Sequence, residues 1–222
     1  MTAFLCMLVI FDLDGTLLNT IRDLSNAANY ALAQNGYPVR QEAECLQFVG
    51  NGITKLLERA LPQEKKTVQY VDKIRPSFLS YYDKHLTDYT TAYEGISALL
   101  HTLKNRSVKL AVASNKYHDA TCRLIQHFFP DISFQAVLGQ REGCPVKPNP
   151  QIVEEILHLC GETKQTCLYV GDSDVDMQTA QNAGVKACGV TWGFRTREVL
   201  SSYQPDYLID FPRQLLTIIE HF

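Results

Sequence analysis

Four short polar clusters, associated with apolar runs, hold the residues of this sequence best suited to chemistry. Asp12, Asp14, Gly15 and Thr16 follow the run 7–11. Ser114 and Asn115 follow the run 108–113. Gly171, Asp172, Ser173 and Asp176 follow the run 166–170, and Lys147 stands shortly before Asn149 and Pro150. Crowded carboxylates repel one another unless a proton or a cation intervenes. A hard cation with oxygen ligands, Mg²⁺ above all, meets that need and commonly works beside a phosphate. Lys147 adds a positive point charge, and a helix starting at Pro150 adds the positive end of its dipole. Ser114 and the amides around Gly15 and Thr16 offer donors to phosphate oxygens. This mixture points to phosphoryl transfer, which depends on positioning and charge stabilisation. A carboxylate can itself act as the nucleophile.

Such residues meet only if the fold brings them together. Short continuous apolar runs at 7–11, 108–113, 134–138, 166–170, 186–190 and 207–209 read as strands buried on both faces. Helical patterns separate them; the clearest places Ile152, Val153, Ile156, Leu157 and Cys160 on one face, with Asn149 and Pro150 at its start and Gly161 at its end. Alternating strands and helices imply an α/β fold, a doubly wound, Rossmann-like parallel sheet. Ligands of such sheets bind beyond the carboxyl ends of the strands, where all four clusters fall. The alternation breaks after the first strand, where helices are expected at 20–34, 41–49, 53–61 and 65–85, the last broken or kinked at Pro76. Thr20 and Asp23 suit a capping box for the first of these, and Ser173 and Asp176 suit one after the fourth cluster. The expected organisation is a core of residues 1–16 and 91–222, with a helical cap of residues 17–90 that carries its own small core.

Composition removes several classes. The 222 residues carry 21 Lys and Arg against 24 Asp and Glu, which is no footprint of a nucleic-acid binder. The first apolar run, from Phe4 to Phe11, is too short to span a membrane, and no secretory signal pattern accompanies it. Seven scattered cysteines with no Cys-x-x-Cys suit free thiols in the cytoplasm. The histidines show no metal-ligand spacing. A calcium loop starting at Asp12 fails, because its sixth position is Leu17 and its twelfth Asp23. The expected partner is a small-molecule phosphate ester, with the chain a monomer or a homodimer.

Taken in order, Phe11-Asp-Leu-Asp-Gly-Thr-Leu17, Ser114-Asn115, Lys147-Pro148 and Gly171-Asp-Ser-x-x-Asp176 resemble the four motifs of the haloacid dehalogenase-like hydrolases. The helical insertion falls where that family carries its C1-type cap. Val49-Gly-Asn-Gly52, Leu57-Glu-Arg-Ala-Leu61, Gly139-Gln-Arg-Glu-Gly143 and Val190-Thr-Trp-Gly-Phe194 resemble the phosphoglycolate phosphatase-like branch. The resemblance implies a Mg²⁺-dependent phosphatase in which Asp12 becomes phosphorylated and Asp14 serves as acid and then base. It implies Mg²⁺ held by Asp12, the Asp14 carbonyl and Asp172, with Asp176 supporting it directly or from behind, and a phosphoryl group bound by Ser114 and Lys147. Asn51, Thr54, Lys55 and Arg59 are candidate substrate contacts from the cap. Asn19 stands where many relatives carry Asp. A phosphomutase or pyrophosphatase on the same scaffold, or a non-catalytic phosphate-ligand-binding regulator, are the rival readings.

Overall fold

The computed structural model describes residues 7–222; residues 4–6 of the first apolar run, Cys6 among them, lie outside this range. Six parallel strands form one sheet. In chain order they are β1 (Leu8–Phe11), β4 (Lys109–Tyr117), β5 (Ala136–Gln140), β6 (Cys167–Gly171), β7 (Lys186–Val190) and β8 (Tyr207–Ile209). Their spatial order is β5-β4-β1-β6-β7-β8. The chain thus switches direction at β1, whose Leu8 stands opposite Lys109 on one side and Cys167 on the other. All four residues of β1 are buried, as a strand covered on both faces requires.

The side chains of β1 alternate between two apolar layers. Leu8 and Ile10 pack with Val153, Ile156 and Leu157 of α7 (Gln151–Cys160) and with Met177 and Ala180 of α8 (Asp174–Ala183). Val9 and Phe11 belong to the opposite layer, with α5 (Ile96–Asn105), α6 (His118–Phe128) and the last helix, Gln214–Glu220. Gly161 ends α7 in the left-handed conformation, as expected. At its start Asn149 accepts from the Gln151 amide at 3.0 Å, so Pro150 lies one place earlier relative to the helix than the sequence suggested.

The insertion holds α1 (Ile21–Gln34), α2 (Glu42–Phe48), α3 (Gly52–Ala60) and α4 (Val68–His85). Its two linkers pair as a short antiparallel ribbon of β2 (Leu18–Asn19) and β3 (Thr91–Ala92), strands too short for a periodicity to reveal. Pro76 does not break α4. The insertion has no separate core: Leu57, Ile74, Phe78 and Tyr82 belong to the same apolar cluster as Leu17, Leu18 and the Phe11 face of the sheet. Among the described residues, no helix is long and apolar enough to cross a membrane.

Candidate active site

The turn after β1 builds the first part of the site. The Asp12 amide donates to Val170 O at 2.9 Å, which fixes it beside the end of β6. The chain then folds back, and the amides of Thr16, Leu17 and Leu18 all point at the Leu13 carbonyl. Gly15 has φ +95°, and a Cβ there would overlap the Asp172 carboxylate. Glycine is therefore required on both counts. The Gly15 amide is spent on Leu18 O at 2.8 Å, and the Thr16 hydroxyl donates to Asp172 Oδ1 at 3.0 Å. The structure thus gives Gly15 and Thr16 work within the turn, where the sequence suggested phosphate binding. Asp172 Oδ2 accepts from the Phe194 amide at 2.7 Å.

Lys147 is buried at the centre of the carboxylates. Its Nζ lies 2.8 Å from Asp12 Oδ1, 2.7 Å from Asp176 Oδ1, 2.9 Å from Ala113 O and 2.9 Å from the Tyr169 hydroxyl. Asp176 is fully engaged, because its Oδ2 also accepts from Ser173 N and Oγ in the expected capping box. Asp12, Asp172 and Asp176 nevertheless present carboxylate oxygens within 4.8 Å of one another. Three buried carboxylates share one ammonium, so their full ionisation would leave a surplus of two negative charges. Burial, and then Asp176, push Asp172 up to about 7, against the hydrogen bonds from Phe194 and Thr16. Burial also raises Asp12 well above the usual carboxylate range, aided by Asp176 and opposed by Lys147. Burial alone would lower Lys147, but Asp12 and Asp176 outweigh it and hold the ammonium charged. An all-oxygen donor set with two uncompensated charges fits a hard divalent cation.

A second ion pair faces this cluster. Lys116 Nζ lies 2.9 and 3.0 Å from the two oxygens of Asp14, and Thr20 donates to Asp14 Oδ1 at 2.6 Å. The Lys116 ammonium also sits over the Tyr82 ring of the insertion, 4.9 Å from its centroid. The sequence reading missed Lys116 and Tyr169. The strand β4 runs on through Ser114 to Tyr117, but its register against β5 shifts between Ala113 and Tyr117, so simple alternation does not mark Lys116.

Asp12, Asp14, Ser114, Asn115, Lys116 and Asp172 line one pocket, closed on its far side by Leu24, Val49, Ile53, Leu56, Phe78 and Tyr82 of the insertion. Asn115 joins the two halves: its Nδ2 donates to Gly50 O at 3.0 Å and Lys147 O at 3.1 Å, and its Oδ1 accepts from Lys147 N at 2.8 Å. Its side chain braces the two halves against each other. Arg195 makes a second tie, donating to Leu46 O and Val49 O at 2.7 Å each. The four cap candidates stand outside the pocket lining. Arg59 holds Phe48 O and Asn51 Oδ1, Thr54 accepts from Arg75, and Lys55 pairs with Glu58. Their polar groups stabilise the insertion itself.

The model of the haloacid dehalogenase-like hydrolases matches residues 9–190. The chain belongs to that family. This hydrolase is similar to the phosphoglycolate phosphatase of Pasteurella multocida, at 34% identity over 96% of this chain and 98% of the relative. It is also similar to pyrophosphatase PpaX of Listeria welshimeri, at 29% identity over 95% of each chain. Among solved structures, a proposed phosphoglycolate phosphatase from Lactobacillus delbrueckii superposes with a TM-score of 0.89 at 31% identity, over 96% of this chain and 98% of the other.

Proposed function

We propose that this hydrolase is a Mg²⁺-dependent phosphatase that cleaves a small phosphomonoester, phosphoglycolate first among candidates, through a phosphorylated Asp12. The observation that carries this reading is the pairing of two clusters across one pocket: Asp12, Asp172 and Asp176 around Lys147, facing Asp14 on Lys116. The relatives' names support the choice of substrate.

Lys147 holds Asp12 Oδ1, which leaves Oδ2 to attack phosphorus. As the Oδ2–P bond forms, the ester P–O bond breaks, and a proton from Asp14 passes to the departing oxygen. Water then gives a proton back to Asp14 and attacks the phosphorylated Asp12, releasing inorganic phosphate and the free carboxylate. Ser114, which lines the pocket, and the Lys147 charge would steady the phosphoryl oxygens. Mg²⁺, held by Asp12, Asp172 and the Asp14 carbonyl with Asp176 behind them, would supply positive charge to the phosphoryl oxygens in the transition state. Residues 17–90 act as a cap that keeps bulk water from the site.

Release of inorganic phosphate from phosphoglycolate, sugar phosphates, nucleotides and pyrophosphate, each with Mg²⁺, tests the reading. Asp12→Asn should abolish turnover and leave the circular dichroism spectrum unchanged. Full activity in that variant would sink the mechanism. Preference for pyrophosphate would favour the activity named for the Listeria welshimeri relative.

A further inference from the structure

Recognition of the leaving group needs residues on the Asp14 side of the pocket, because the proton must reach the departing oxygen there. Three observations describe that side. Lys116 Nζ has three N–H donors, and Asp14 occupies two of them. The Tyr82 hydroxyl, on the buried ring beneath Lys116, has no hydrogen-bond partner among the described residues. An unmade bond of this kind is unfavourable unless a ligand or water completes it. The neighbouring wall is apolar, formed by Leu24, Ile53, Leu56, Phe78 and Phe194.

The other cations nearby are engaged. Lys147 is enclosed by four oxygens, and Arg195 is committed to Leu46, Val49 and Asp174. The cavity volume is about 50 Å³, where one water needs roughly 10–15 Å³ on the same measure. That space favours a small ester over a bulky one. The apolar wall offers nothing to the hydroxyls of a sugar or nucleoside.

Resting on the phosphatase reading above, we propose that Lys116, assisted by the Tyr82 hydroxyl, is the specificity-determining residue and binds a carboxylate carried on the departing alcohol. The preferred substrates are then phosphate esters of short hydroxy acids. Lys116 couples this recognition to Asp14, since one ammonium touches both the acid and the substrate's second charge.

The test compares kcat/KM for 2-phosphoglycolate with that for 2-hydroxyethyl phosphate, which has the same short skeleton without the carboxylate. The wild type should prefer the carboxylate ester by at least tenfold. In Lys116→Met both rates fall, because Asp14 loses its partner, but the preference itself should shrink by about tenfold to a hundredfold, the worth of one hydrogen bond to a charged group. Lys116→Arg should recover much of the preference, and Tyr82→Phe should lower it several-fold, mainly through KM. An unchanged preference in Lys116→Met would overturn the assignment and leave Lys116 as a support for Asp14 alone. A wild type that hydrolyses both esters equally overturns the inference while the phosphatase reading stands. Hydrolysis of neither overturns the inference, and the phosphatase reading falls with it only when no ester of the wider panel releases phosphate.

Discussion

Removing the Lys147 ammonium gives the most direct measure of how the site is held together. Lys147→Met keeps most of the buried stem and deletes the charge. The structure says what is lost: contacts to Asp12 Oδ1 at 2.8 Å and Asp176 Oδ1 at 2.7 Å, with the Ala113 carbonyl and Tyr169 hydroxyl beside them. Deleting one partner of a buried pair costs about 3–5 kcal/mol, because the remaining charge stays buried. Here two carboxylates lose their cation, which argues for the upper part of that range. Asp176 keeps Ser173 N and Oγ and the Tyr169 hydroxyl, which moderates the loss. A domain in the middle of the ordinary range, about 10 kcal/mol, survives such a loss at room temperature. Urea unfolding at neutral pH, with and without Mg²⁺, is the assay, and the m-value should not change. Mg²⁺ should stabilise the variant more than the wild type, since the surplus negative charge is larger by one. A cation at a hundred times its dissociation constant contributes about 2.7 kcal/mol. A loss below about 1 kcal/mol would refute the reasoning, because such small values belong to solvent-exposed pairs. Greater stabilisation of the wild type by Mg²⁺ would refute the charge balance.

Three further outcomes are expected. Asp14→Asn should slow turnover by about 10²–10⁴-fold, as loss of an acid–base group does, and phosphorylated Asp12 should accumulate in rapid-quench mass spectrometry; wild-type rates exclude the role. Arg195→Ala frees the Leu46 and Val49 carbonyls, so amide exchange across residues 46–52 should quicken and KM should rise, whereas unchanged exchange would show that the tie does not hold the insertion. Chelation of divalent cations from the wild type should lower its melting temperature and abolish turnover, and Mg²⁺ should restore both. Activity persisting in excess chelator would contradict the reading of the Asp12, Asp172 and Asp176 cluster.

The parts legible in the sequence were those where one residue type has one use. Five of the six strands of the sheet lie within two residues of their apolar runs; β1 and β6, buried along their whole length, show why, since a strand covered on both faces has no polar positions to blur it. The exception is β4, which continues through Ser114, Asn115 and Lys116 past its apolar run. Polar side chains there are buried by long-range partners: Asp14 for Lys116, and Lys147 and Gly50 for Asn115. A local pattern contains no information about partners 102 and 65 residues away. The cap candidates are drawn off the pocket lining for the converse reason. Asn51, Thr54, Lys55 and Arg59 have the right chemistry on the right helix, but each finds a nearer partner within the insertion.

The failed capping box at Thr20 and Asp23 carries the most meaning. Thr20 occupies the expected position before α1, yet its hydroxyl goes to Asp14 at 2.6 Å rather than to its own helix. Asp23 turns to the returning linker, where its carboxylate accepts from the Tyr89 and Thr90 amides and the Thr90 hydroxyl. Both side chains leave a local bond worth about 1 kcal/mol for a distant one. Local rules tend to break where function needs the residue elsewhere. The outgoing linker is thus tied to Asp14 by Thr20, and the returning linker is tied to α1 by Asp23.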